Sequence, residues 1–150
     1  MNVTIVAVDK LREQYVRAGC DLYRKRLAPY FGIDVLETRK GSGPDAVRRE
    51  GSDILARIDA VDECWALDRA GDQLSSLDLA RKISQIERSG KRRLVLAIGG
   101  PNGLDESVLA RANFRWSLSN LTFLHEMSRL IVLEQLYRAA KIARGETYHR

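Results

Sequence analysis

Cysteine is almost missing from this chain. Cys20 and Cys64 are the only two in 150 residues, and neither belongs to a CxxC or to a histidine cluster. That argues against a disulfide framework and against a zinc site, and it fits a reducing cytosol. Histidine is equally scarce: His125 and His149 are the whole complement, and neither sits in a G-x-S-x-G or metal-ligand spacing. No apolar run approaches the ~20 residues needed to cross a bilayer. The stretch from Met1 to Asp9 lacks the basic start and cleavage site of a signal peptide. Carboxylates are scattered, whereas phosphate and nucleotide hydrolysis normally show them clustered.

What is present describes one soluble α/β domain. A chain of this length buries roughly 70% of the surface its unfolded form exposes. Hydrophobic content of 45% and charged content of 30% place it among ordinary globular proteins. The net charge is +5, so its distribution carries more than its total. Cations gather at Arg24-Lys25-Arg26, at Arg48-Arg49, at Lys91-Arg92-Arg93, and along Arg138, Lys141, Arg144 and Arg150. Taken singly, each group reads as a solvated helix face or a helix end offsetting its dipole. The last differs in continuing into Tyr148-His149-Arg150.

The pattern alternates between strand and helix. Val3 to Val8 is an apolar β-branched run, followed by Leu11, Tyr15, Ala18 and Leu22 at helical spacing. Ile33 to Leu36 predicts a second strand. Lys40 to Pro44 breaks the chain as a mobile loop beside a site, and a helix follows through Val47, Ile54 and Ile58. Cys64 to Leu67 predicts a third strand. Ser75 and Asp78 form a capping-box pattern opening a helix with Leu79, Ile83 and Ile86. Leu94 to Ile98 is wholly apolar, as a strand covered on both faces should be. After a glycine-rich loop and a short helix, Phe114 to Leu118 predicts a fifth strand, and a long helix runs from about His125 to Arg144. This order predicts a mostly parallel sheet with helices on both faces.

Ligands of open parallel sheets bind beyond the carboxyl ends of the strands. Three segments occupy that position: Leu67-Asp68-Arg69-Ala70-Gly71, Ile98-Gly99-Gly100-Pro101-Asn102-Gly103, and Ser117 to Thr122. The glycine loop serves either a tight turn or close approach of backbone to a ligand. It is neither a P-loop, since Leu104-Asp105 follow Gly103, nor a G-x-G-x-x-G fingerprint. Pro101 also removes an amide where a pyrophosphate would want one. A ligand held by backbone groups and apolar walls fits better, such as an adenosine with a short charged tail. Positioning of an activated donor is the chemistry that needs the least side-chain machinery. A branched side chain at Gly100 should then block the ligand and spare the fold. In the last helix, Leu130-Ile131-Val132-Leu133 is apolar all round, which predicts contact with the sheet and with a second subunit.

Four ordered motifs resemble one family. They are Ile98-Gly99-Gly100-Pro101-x-Gly103-Leu104, Trp116-Ser117-Leu118-Ser119-x-Leu121-Thr122, Glu134 to Ala139, and the terminal Tyr148-His149-Arg150. Together they resemble the ribosomal large subunit methyltransferase H family, small members of the SPOUT class. The resemblance runs over the full length. It implies an α/β-knot fold with a C-terminal trefoil knot, an exception to the rule against knots. It further implies a homodimer, S-adenosylmethionine as methyl donor, and methylation at N3 of a pseudouridine in helix 69 of 23S rRNA on the assembled ribosome. Cofactor contacts carried over by motif fall on Leu67, Gly100, Ser119, Asn120, Leu121, Thr122, Phe123 and Leu124; no metal is implied. Tyr148, His149 and Arg150, with Arg138, fall where the family handles its RNA. His125 and His149 are the candidate proton acceptors or orienting groups. Arg129, with Arg138 and Arg150, is a candidate for phosphate contact or stabilisation of the imidate anion. The chain departs from the family pattern at Leu124 and Thr147, both usually proline. Two other classes remain open: a non-catalytic RNA- or ribosome-binding module, and a nucleotide-dependent small-molecule enzyme.

Overall fold

The computed structural model describes residues 1–147. Its elements follow the predicted order: β1 (Asn2–Val8), α1 (Gln14–Leu27), β2 (Gly32–Thr38), α2 (Ala46–Leu55), β3 (Glu63–Gln73), α3 (Ser76–Arg88), β4 (Arg93–Ile98), α4 (Glu106–Arg111), β5 (Phe114–Ser117) and α5 (His125–Ala143). The five strands form one parallel sheet in the order β2-β1-β4-β3-β5.

Both faces of the sheet are covered, which is why β1 and β4 read as unbroken apolar runs. Val3, Ile5 and Ala7 of β1, with Leu94, Leu96 and Ile98 of β4, join the larger core under α1, α3 and α5. The alternate residues Val6, Val8, Val95 and Ala97 meet Ile54 of α2 and Val108 of α4 on the other face. Each such side chain, fully buried, contributes roughly 1.5–3 kcal/mol. Trp65 of β3 has no exposed surface, and its ring meets Phe114 at 5.3 Å and Trp116 at 5.9 Å in edge-on contacts that fasten the outer strand β5.

α3 starts as its sequence predicts, with Ser75 Oγ accepting the Asp78 amide at 3.1 Å. Cys20 and Cys64 are both free and buried, and burial pushes each thiol up to about 11. No helix among the described residues is long and apolar enough to span a membrane.

Three expectations are corrected. α1 does not bury Tyr15, Ala18 and Leu22, which are exposed; it begins after Leu11 and turns Val16, Cys20 and Leu27 inward. Both stripes have helical spacing, and the inward one wins because it continues into the core against α5. β3 does not stop at Leu67. It continues to Gln73 beside β5 with a bulge, so Leu67 and Asp72 both register with Trp116. In α5, Leu133 is a core residue at 1% exposure, whereas Ile131 is half-buried. Leu133 therefore cannot report on a subunit interface.

The cation run at the start of β4 is partly structural. Arg93 reaches Asp62 at 2.5 Å and Asp59 at 3.7 Å. Burial works against the Asp62 carboxylate, yet the hydrogen bond and charge of Arg93 hold it below the usual range.

Candidate active site

A cavity of about 670 Å³ opens at the carboxyl ends of β3, β4 and β5. Its walls come from the three segments that the parallel pattern singled out, together with the first turn of α5. Leu67, Asp68 and Arg69 enter from the β3 bulge; Gly99, Gly100, Pro101 and Gly103 come from the loop after β4; Trp116, Leu118, Ser119, Leu121, Thr122, Phe123 and Leu124 come from β5 and its loop; His125 and Ser128 come from α5.

The glycine loop has a shape that side chains would break. Gly103 donates its amide to Gly100 O at 3.0 Å, closing a tight turn, and Gly103 has φ +79. A Cβ at Gly99 would lie 2.7 Å from the Gly103 carbonyl carbon and oxygen, so the turn folds directly over that residue. Gly100 behaves otherwise. A Cβ there would lie 3.2 Å from Val8 Cγ1 and 3.9 Å from Glu50 Oε1, in the core behind the loop. A branched residue at Gly100 therefore adds a packing cost against Val8 to its effect on the cavity that Gly100 lines.

The loop after β5 is pinned to the extension of β3. Arg69 Nη1 donates to Thr122 Oγ1 at 3.3 Å, and Gln73 Nε2 donates to Asn120 Oδ1 at 3.0 Å. Within the loop, the Leu121 amide donates to Ser119 Oγ at 3.0 Å. Asn120 thus braces the loop and does not line the cavity, unlike its neighbours Ser119 and Leu121 to Leu124. Leu121 and Leu124 are 70% and 48% exposed at the mouth, apolar surface of the kind that marks a binding site. Leu124 precedes α5 with φ −53, inside the range proline imposes, so the backbone keeps a proline-like path without the ring.

His125 and Ser128 stand three residues apart on one helical face, the spacing that brings both to the cavity. The Nε2 atom of His125 is buried and has no hydrogen-bond partner among the described residues. Arg129, one position further, faces elsewhere. At 2% exposure it pairs with Glu37 at 2.6 Å and donates to the carbonyls of Val8 and Asp9. Its guanidinium is engaged in joining α5 to the ends of β1 and β2, and it does not line the cavity. Arg138, bonded to Glu134 at 2.8 Å, is also outside the cavity lining. Tyr148, His149 and Arg150 lie outside the described residues. Lys40 to Pro44 is tethered by the Gly41 amide donating to buried Glu50 at 2.8 Å, and does not reach the cavity.

Trp116 and Ser128 were not among the sequence candidates. Ser128 was legible as the i+3 neighbour of His125; Trp116 opens one of the family motifs and stands at the end of a predicted strand. Asp68, 4.0 Å from Arg115, is the one carboxylate among the lining residues. Apolar walls, backbone polar groups, one histidine and one acid suit a cavity that binds and aligns a ligand rather than one that supplies a chain of proton transfers.

The family model for predicted SPOUT methyltransferases matches residues 1–149. A ribosomal RNA large subunit methyltransferase H from Carboxydothermus hydrogenoformans is 42% identical over 159 aligned positions, covering 100% of both chains. The protein of the same name from Acetivibrio thermocellus is 39% identical over the same coverage. Among solved structures, a probable methylase family protein from Haemophilus influenzae Rd KW20 aligns with a TM-score of 0.58 at 12% identity. That match covers 99% of this chain and 70% of the other, and supports the fold alone.

Proposed function

The chain belongs to the SPOUT methyltransferase family, and from that premise we propose that it methylates N3 of a pseudouridine in helix 69 of 23S rRNA on the assembled ribosome, using S-adenosylmethionine. The observation that carries this reading is a single cavity formed by the three strand-end segments, in a chain whose full-length relatives are named for large-subunit rRNA methylation.

The residues present fit the donor. A volume of about 670 Å³ lies within the range of small-molecule sites, and the walls offer leucines and a phenylalanine beside backbone amides and carbonyls. Gly99 and Gly103 let the backbone turn tightly enough to face the ligand, while Ser119 and Leu121 to Leu124 form the opposite wall. S-adenosylmethionine, when bound, supplies a methyl on a sulfonium, an electrophile that requires alignment more than activation. His125 lines the cavity with its Nε2 buried and without a hydrogen-bond partner among the described residues, so a turn of the ring would free that nitrogen to meet a polar group of a ligand. The exposed leucines at the mouth exclude water from the ligand once a base covers them.

The same reading includes the C-terminal trefoil knot, a homodimer, a cytoplasmic location, and RNA contacts by Tyr148, His149 and Arg150. Half-buried Ile131 on α5 supports the dimer. Calorimetry with S-adenosylmethionine tests the cavity. Transfer of labelled methyl to ribosomes, with the product nucleoside located by mass spectrometry, tests the target. Binding of the donor with no transfer to any ribosomal RNA would overturn the substrate assignment.

A further inference from the structure

The carboxyl ends of the five strands form one rim, and the cavity uses three of them. The two left over, β1 and β2, lie next in line after β4, about 5 and 10 Å along the sheet at the usual strand spacing. On this stretch stand Lys10 and Arg12 after β1, and Arg39 and Lys40 after β2, all four exposed. Arg12 is paired with Asp9 at 2.7 Å. Lys10, Arg39 and Lys40 have no ion pair among the described residues.

Exposed cations at strand ends are common, and most are merely solvated. Here the backbone that carries them is held in an unfavourable shape by buried charge. Asp9 has φ +74, the one positive φ outside glycine among the described residues. Its amide donates to Thr38 O at 2.8 Å, which keeps the two strand ends side by side. Its carboxylate accepts from the Lys10 amide at 2.9 Å as well as from Arg12. Glu126, 4% exposed, accepts the amides of Arg12 and Glu13 at 2.5 and 3.1 Å. Arg129 donates to the carbonyls of Val8 and Asp9. The first turn of α5 therefore does two things at once: His125 and Ser128 line the cavity, while Glu126 and Arg129 fix the cationic ends beside it. Most acids in this neighbourhood are turned to internal partners, namely Asp9, Glu37, Glu50 and Glu126. Of these Glu37 is itself exposed but paired with Arg129, and Glu13 and Asp45 are exposed as well, Asp45 beside Arg48.

From this arrangement we infer that Lys10, Arg39 and Lys40 form a track for the phosphodiester backbone of the RNA strand whose base enters the cavity. The inference rests on the reading of the cavity as the methyl-transfer site. Its chemistry is that of backbone contact: cations that fix register and orientation without reading sequence. The offset from Gly100, which packs against Val8 at the end of β1, is about one or two strand spacings, so the track touches nucleotides flanking the target.

The test compares two triple variants of the full-length protein with equal loss of charge. One is Lys10→Ala with Arg39→Ala and Lys40→Ala. The other is Arg24→Ala with Lys25→Ala and Arg88→Ala, at the last turns of α1 and α3, the opposite end of the sheet. Each is measured for melting temperature, S-adenosylmethionine affinity by calorimetry, and methyl transfer to ribosomes over a range of salt. The rim variant should keep its melting temperature and donor affinity, raise KM for ribosomes about tenfold or more, and leave kcat at saturating ribosome nearly unchanged. Its dependence of log KM on log salt should be shallower by about two to three, at ~0.7–0.9 for each phosphate no longer neutralised. The opposite-end variant should stay within about twofold of wild type in KM. A rim variant with wild-type KM and salt slope overturns the track while leaving the methyltransferase reading intact. Equal losses in both variants also overturn it, since net charge alone would then explain binding. A wild-type protein that transfers no methyl to ribosomes removes both readings.

Discussion

Replacing Gly99 with alanine separates a requirement of the ligand loop from a requirement of the fold. The new Cβ would sit 2.7 Å from the carbonyl carbon and oxygen of Gly103 and 3.1 Å from the Leu104 amide. All three are backbone atoms, so no side chain can rotate out of the way. The turn must open, and the hydrogen bond from the Gly103 amide to Gly100 O goes with it. Loss of one such bond costs about 0.5–1.5 kcal/mol, or a fall of about 1–6 °C in Tm at ~2–4 °C per kcal/mol. The cavity wall moves with the turn, and donor affinity should drop at least tenfold, equivalent to ~1.4 kcal/mol. Gly100→Val should give the opposite balance. Its side chain presses on Val8 in the core, and overpacking of that kind costs about 1–3 kcal/mol. Calorimetry and thermal melts on both variants decide the matter. Wild-type donor affinity in Gly99→Ala would refute the loop's part in binding. An unchanged melt with lost affinity in Gly100→Val would show that its side chain enters the cavity after all.

Ile131→Arg should yield monomers that remain folded, because Ile131 is half-buried on α5, whereas Leu133→Arg should unfold the chain by placing a charge in the core; sedimentation and circular dichroism distinguish them, and a wild-type monomer at micromolar concentration would sink the interface. Deleting Tyr148, His149 and Arg150 should leave donor affinity and dimer formation nearly intact while transfer to ribosomes falls by orders of magnitude; transfer at the wild-type rate would remove the tail from target handling. Leu124→Pro should be tolerated and raise stability by about 0.4–1 kcal/mol, since φ is already −53 and the Leu124 amide donates no hydrogen bond among the described residues. A lower melting temperature would show that the loop is not proline-like in solution.

The order of elements was legible because periodicity and burial agree where both sheet faces are covered, as in Leu94 to Ile98. Failure came where two patterns compete. Tyr15, Ala18 and Leu22 have helical spacing as good as that of Val16, Cys20 and Leu27, and only the position of α5 decides between them. The extension of β3 was hidden by Asp68, Arg69 and Gly71, which read as a segment beyond the strand's end. In place they bulge against β5, where a Cβ at Gly71 would lie 2.4 Å from Arg115 O. Within the site, the glycine loop and the segment from Ser117 to Thr122 were singled out by position at strand ends, which parallel topology dictates, whereas Phe123 and Leu124 came only from the family resemblance. Arg129 was singled out because a cation beside a site suggests an anionic ligand, and its internal partners were not legible. Its partners, Glu37 and the carbonyls of Val8 and Asp9, come from strands some 90 or more positions away in the chain and have no local signature.

The most direct test of the account is nucleoside mass spectrometry of 23S rRNA from ribosomes lacking this modification, incubated with the protein and S-adenosylmethionine. The account predicts one added methyl, at N3 of a pseudouridine in helix 69, absent when the donor is withheld and strongly reduced with Gly99→Ala. Unmethylated rRNA after incubation with protein shown by calorimetry to bind the donor would contradict it, as would a methyl placed at any other position.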